Sequence, residues 1–111
     1  MNIAIKKTGA TSIVTVTGRM DAVTAPDFES KMTESIIGGD RKLVIILTGL
    51  EYISSAGLRA ILAIAKRMRE NQGQLVFAGL QGHVLEVFKI SGFRSIFKIF
   101  DTEQEALTHL G

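Results

Sequence analysis

The sequence contains no cysteine. That excludes a disulfide framework, a thiolate metal site and a cysteine nucleophile, and it suits a reducing compartment. Proline occurs once, so the punctuation of the chain falls to its glycines. Aromatics are scarce, with six Phe and one Tyr, and most of them stand in strand-like or helix-core positions. Long apolar runs are missing too. The longest candidate, Leu43 to Leu47, has the size of a buried strand and falls far short of a bilayer span. Nothing at the N-terminus has the form of a basic segment followed by a signal-peptide apolar stretch. The expected compartment is therefore the cytoplasm, with no membrane insertion.

Charge of either sign is not concentrated. Thirteen Lys and Arg against eleven Asp and Glu leave a net charge of +2. Only Arg59, Lys66, Arg67 and Arg69 gather on one segment, and they read as a solvated helix face. A nucleic-acid site needs a denser basic stripe with aromatics for stacking, so no nucleic-acid partner is expected. Two histidines, His83 and His109, lack the spacing of a metal site. His109 falls on an exposed C-terminal helix, and His83 reads as a surface or cap residue at a helix start. Serine catalysis requires a base within hydrogen-bond reach, and no Gly-x-Ser-x-Gly elbow surrounds Ser55. Gly79-Leu80-Gln81-Gly82 is too short for a phosphate loop and has no Lys-Ser/Thr after it. The reading is of a non-enzyme without cofactor or metal.

What is present is enough for one domain over residues 1–111, with 46% hydrophobic and 22% charged residues. Ile3 to Lys7 and Ser12 to Thr17 read as a hairpin about Gly9-Ala10. Thr24-Ala25-Pro26-Asp27 has the Thr-x-x-acid form of a helix start, and Phe28, Met32 and Ile36 follow at helical spacing until Gly38-Gly39. Leu43 to Leu47, apolar on both faces, predicts the centre of a sheet covered on both sides. Gly49 to Ile53 reads as a loop. Ser54 and Ser55 precede an apolar stripe of Leu58, Ile61, Leu62, Ala65 and Met68 on a helix that Asn71-Gln72-Gly73 stops. Gln74 to Ala78 is a strand, Val84, Val87 and Phe88 mark a short helix ending at Gly92, and Ser95 to Phe100 reads as the last strand. Thr102 with Glu105 predicts a capping box for a terminal helix. This alternation predicts an α/β domain with a mixed, mostly parallel sheet of about five strands and about four helices.

In such sheets function gathers beyond the carboxyl ends of the strands. Three loops lie there: Gly18 to Val23, Gly49 to Ser54 and Gly79 to Gly82. The middle one leads into Tyr52-Ile53-Ser54-Ser55-Ala56-Gly57-Leu58. A serine before a helix caps an orphan N–H, but only one of Ser54 and Ser55 is needed for that. Asp21 by itself reads as a turn residue.

The Tyr52 to Leu58 run resembles the signature of the STAS-domain anti-sigma factor antagonists, an Asp-Ser-Ser/Thr/Ala-Gly-Leu run that follows an apolar strand and opens a helix. Thr17-Gly18-Arg19-Met20-Asp21 resembles that family's Thr-Gly-x-Leu-Asp run. Ile90-Ser91-Gly92-Phe93 and Phe97-Lys98-Ile99-Phe100 resemble its Ser-Gly-Leu region and following strand. The resemblance covers nearly the whole chain and implies a STAS-like single domain. It implies that Ser55 is the phosphoacceptor, that Ser54 replaces the family's Asp, and that Asp21 matches an acidic residue near the phosphoacceptor. Arg19 stands where many members carry an acid facing the partner. The implied partner-binding residues are Arg19, Asp21, Tyr52, Ile53, Ser54, Ser55, Ala56, Gly57 and Arg59, with Tyr52 and Ile53 wedged against the sheet. The implied function is antagonism of an anti-sigma factor that is also a serine-protein kinase, with release on phosphorylation and resetting by a PP2C-type phosphatase. The other reading open to a STAS domain is a non-switching scaffold or a soluble subunit of a lipid- or anion-transport system.

Overall fold

A computed structural model describes residues 1–111. The elements run β1 (Asn2–Thr8), β2 (Thr11–Met20), α1 (Ala25–Ile37), β3 (Lys42–Ile46), β4 (Leu50–Ile53), α2 (Ser55–Glu70), β5 (Gln74–Ala78), α3 (Gly82–Ile90), α4 (Phe93–Ile96), β6 (Lys98–Phe100) and α5 (Glu103–Leu110). The sheet order is β1-β2-β3-β5-β6, with β4 pairing β2 off that path. Only β1 is antiparallel to its neighbour; every other pairing is parallel. The architecture is α/β with six strands and five helices, one strand and one helix beyond the expected numbers.

β3 is the middle strand and is buried on both faces, as its unbroken apolar run requires. Strand alternation divides its side chains between two cores. Leu43 and Ile45 join Val14, Val16 and Phe77 under α1, α2, α3 and α4. Val44 and Ile46 join Ile13, Val76 and Ala78 under Ala106 and Leu110 of α5. Each fully buried Leu, Ile or Phe contributes about 1.5–3 kcal/mol relative to exposure, and the larger core holds 20 buried apolar residues against 7 in the other, so it dominates the fold.

Three local readings are corrected. Gly49 to Ile53 is not all loop, since Leu50–Ile53 pairs with β2 from Gly18 to Met20. Four residues with Leu50 and Ile53 both buried show no period-2 signal, so only the tertiary partner reveals the strand. β2 is long enough to serve two neighbours: Ser12 to Thr15 pair β3, and Gly18 to Met20 pair β4. Within the β4 pairing the register shifts between Gly18 and Arg19, where Gly18 takes φ +94°. Ser95 to Phe100 is not a continuous strand: Gly92 turns the chain at φ +81°, α4 follows, and only Lys98–Phe100 joins the sheet. An edge-to-face series wins there over strand propensity, with Phe88–Phe93, Phe93–Phe97 and Phe77–Phe97 centroids 5.3, 5.3 and 5.1 Å apart. Finally, Thr24 is the N-cap of α1 but makes no side-chain cap bond; its hydroxyl donates instead to the Arg19 carbonyl at 2.9 Å.

Candidate functional site

The three loops beyond the carboxyl ends of the strands come together. The Ser54 N–H donates to the Met20 carbonyl at 2.9 Å, which ties the start of α2 to the end of β2. The third loop is tied to the middle one by Gln81, whose Nε2 donates to the Thr48 carbonyl at 2.7 Å. Parallel pairing of β2 with β4 places Arg19 beside Tyr52 and Met20 beside Ile53.

The two serines have different places. Ser54 is extended (φ −95°, ψ 175°) and its Oγ accepts from the Gly57 N–H at 3.3 Å, the bond of an N-cap. Ser55 is the first helical residue, is exposed, and makes no side-chain hydrogen bond. Its hydroxyl is free at the positive end of a 16-residue helix whose first turn carries no acid. Arg59 lies one turn further along the same face, exposed and outside both ion pairs of the molecule, Lys7–Asp40 and Lys89–Glu86.

Of the residues implied as a contact surface, Arg19, Ser55 and Arg59 are exposed, and Asp21, Tyr52, Ser54 and Ala56 are half-buried. Ile53 and Gly57 are buried. A Cβ at Gly57 would lie 2.7 Å from Ile53 Cγ1 and 3.1 Å from the Met20 carbonyl oxygen. Gly57 therefore seats the first turn of α2 against β2 and β4 and lies under the surface; Ala60 faces inward too.

Asp21 closes its own loop. One carboxylate oxygen accepts from the Val23 and Thr24 N–H groups at 3.0 and 3.1 Å, while the Asp21 N–H donates to Thr24 Oγ1 at 2.9 Å. The Thr24 and Val23 amides, then the Thr24 hydroxyl and the Arg19 charge, hold its carboxyl below the ordinary 3.8 against the opposing effect of burial. This turn presents Val23 with 84% of its surface exposed. Sequence reasoning singled out the loop but not Val23, because nothing in an isolated valine tells a buried position from a displayed one.

His83 is the other residue missed. It opens α3 and stacks on Tyr52, with ring centroids 5.1 Å apart and planes 10° from parallel. Arg19 covers Tyr52 as well, its guanidinium carbon 4.3 Å from the ring centroid. Beside Ser55, between α1 and α2, lies an open cleft of about 520 Å³ lined in part by Ala22, Pro26, Ala56 and Arg59.

A single solvent-facing surface thus combines an unengaged serine at a helix start, an aspartate-braced loop and a parallel-sheet edge. Residues 2–106 match the STAS domain, and the chain belongs to that family, on its anti-sigma factor antagonist side. It is 39% identical over 106 residues to BtrV of Bordetella bronchiseptica, a candidate anti-sigma factor antagonist, covering 96% of this chain and 91% of that protein. It is 31% identical to the anti-sigma-B factor antagonist of Listeria monocytogenes, covering 95% and 93% of the two chains. Among solved structures, a candidate anti-sigma factor antagonist from Thermotoga maritima superposes with a TM-score of 0.91 at 22% identity, over 96% of this chain and 92% of that one. The phosphorylated form of SpoIIAA from Bacillus superposes with a TM-score of 0.78 at 18% identity, over 99% and 100%. These last two likenesses concern the fold. No helix of the chain is long and apolar enough to cross a membrane.

Proposed function

We propose that the chain is an anti-sigma factor antagonist that binds an anti-sigma serine kinase when unphosphorylated and leaves it when Ser55 is phosphorylated. The observation that carries this reading is the division of labour at the start of α2: Ser54 is occupied as the cap, and Ser55 is exposed with its hydroxyl unengaged. The relatives named as antagonists supply the class of partner. The chain has no phosphate cradle of its own, so ATP is held by the kinase. In this reading a PP2C-type phosphatase restores the binding form.

A phosphate at Ser55 adds about −1.5 to −2 charges at neutral pH. Free N–H groups at the helix start stabilise an anion, and Arg59 at i+4 offers a guanidinium to it. The domain can therefore accept the phosphate without unfolding, and docking responds through charge and bulk at a close-fitting contact. Val23, displayed by the Asp21 turn, is part of that contact. The test is incubation with the kinase and ATP followed by mass spectrometry. Wild type and Ser54→Ala take one phosphate at Ser55, Ser55→Ala takes none, and the chain alone with ATP stays unlabelled. Labelling of Ser55→Ala at Ser54 would overturn the assignment.

A further inference from the structure

Arg19, Tyr52 and His83 come from β2, β4 and α3, and the Tyr52 ring receives both of the others: the guanidinium carbon lies 4.3 Å and the imidazole centroid 5.1 Å from its centroid. The polar ends of all three are unspent. None of the three side chains makes a hydrogen bond within the chain, and neither Arg19 nor His83 belongs to an ion pair. The neighbouring acids are accounted for. Asp21 turns its carboxylate to the amides of its own loop, and Glu86 of α3 pairs with Lys89. Glu51 precedes Tyr52 on β4, where strand alternation sends it to the other side. Arg19 and His83 are exposed.

Such a stack is preorganised. Tyr52 is held in the ladder opposite Arg19, while the helix bearing His83 is anchored by the buried Val84 and Phe88. An arginine resting on an aromatic face has already given up part of its rotamer freedom, so less is lost when it takes a bidentate carboxylate. The geometry points to a partner-recognition platform that receives an acidic segment of the anti-sigma kinase, Arg19 taking the carboxylate and Tyr52 and His83 flanking it with ring edges and N–H or O–H groups. This rests on the proposed function and adds to it the chemistry of the partner and a residue, His83, outside the set implied by the sequence. The charge complementarity is one-sided on this surface: a hydrogen-bond-donating strip carrying the Arg19 charge, whose one nearby acid, Asp21, has its carboxylate taken up by the amides of its own loop.

The test uses two probes. The first is the kinase that phosphorylates Ser55, with affinity measured by calorimetry at low and high salt. Arg19→Glu binds at least about tenfold more weakly, Tyr52→Ala and His83→Ala more weakly by smaller factors, and the salt dependence of wild type is reduced in Arg19→Glu. A Glu→Arg or Asp→Arg substitution on the kinase restores binding to Arg19→Glu and weakens wild type. Circular dichroism confirms that each variant folds, and Arg19→Gln serves if Arg19→Glu does not. The second probe needs no kinase: titration of the ¹⁵N-labelled chain with hexaglutamate shifts the Arg19, Tyr52 and His83 signals, and hexalysine leaves them in place. Wild-type affinity in Arg19→Glu, or hexaglutamate shifts spread evenly over the surface, would overturn the platform. If Ser55→Asp still weakens binding in that case, the phospho-switch reading stands without it; if no kinase labels Ser55, the switch reading fails while the hexaglutamate result still decides the platform.

Discussion

Gly57 is the residue on which the seat of α2 depends. Replacing it by alanine improves helix propensity, which is worth up to about 1 kcal/mol in a helix interior. The added methyl must displace the buried Ile53 side chain or the Met20 backbone, and overpacking of that kind costs about 1–3 kcal/mol. Gly57→Ala is therefore expected to lower stability by about 1–2 kcal/mol in urea melts while Ser55 stays exposed; an unchanged midpoint would show that the helix start yields freely. Asp21 is a different case. An asparagine at position 21 keeps an oxygen that can accept from Val23 and Thr24, so Asp21→Asn preserves the turn and removes the charge. Its melting midpoint stays near wild type, whereas Asp21→Ala loses the turn and, with it, the presentation of Val23. In the proposed switch, Arg59 acts after modification. In ³¹P titrations the phosphoserine of Arg59→Ala titrates at a higher pH than that of wild type, because the i+4 guanidinium that favours the dianion is gone. Identical titrations would mean that Arg59 does not reach the phosphate.

At the scale of elements, α2 has both its ends written in its residues. Ser54 caps the start, and Asn71 closes the end with its Nδ2 donating to the Arg67 carbonyl at 2.8 Å. Ser54→Ala removes a cap and is expected to cost about 1 kcal/mol; retention of full stability in a thermal melt would contradict the cap. Such local chemistry, like the strand signals of β1 and β2, the unbroken apolar run of β3 and the period-3.6 patterns of α1 and α2, was legible in the sequence. So were the three loops beyond the strand ends. β4 was not, because Leu50–Ile53 becomes a strand only through its pairing with the lower half of β2. α4 was not, because Phe93 and Phe97 choose their conformation by packing with Phe77 and Phe88. The Arg19–Tyr52–His83 stack was half legible: the first two residues came through the resemblance, while His83 lies 31 positions beyond Tyr52 and meets it only in the folded chain. The capping box of α5 is also half built, with the Glu105 N–H donating to Thr102 Oγ1 and that hydroxyl donating back to the Glu105 carboxylate rather than leaving it for the Thr102 amide.

Across the whole molecule, the two ends of the sheet do different work. At the end away from Ser55, Asp40 joins the β1–β2 hairpin to the α1–β3 turn through bonds from Lys7 and Ser35. Burial raises its carboxyl, but those hydrogen bonds and the Lys7 charge outweigh it and hold it below the ordinary 3.8. A depressed folded value means that the unfolded chain binds the proton more readily. Asp40 thus adds stability that is complete well above 3.8 and is lost as pH falls through that value toward its folded one. The urea midpoint of wild type should fall over that acidic window, and Asp40→Asn should show a shallower fall; parallel curves would exclude the linkage. At the Ser55 end, the charge is left open for a partner, above the larger core into which α2 packs Ile61, Ile64 and Met68. In the proposed switch, a phosphate placed above such a frame is expected to change the surface and not the fold. The most direct measurement is the affinity of the kinase for unphosphorylated and stoichiometrically Ser55-phosphorylated chain, read by calorimetry with ¹⁵N amide shifts of both forms. Binding weaker by at least about a hundredfold, equivalent to about 2.7 kcal/mol, with shifts confined to the loops at Asp21, Ser55 and Gly79, is the result predicted. Equal affinities, or shifts spread through β3 and β5, would contradict a switch that works at the contact.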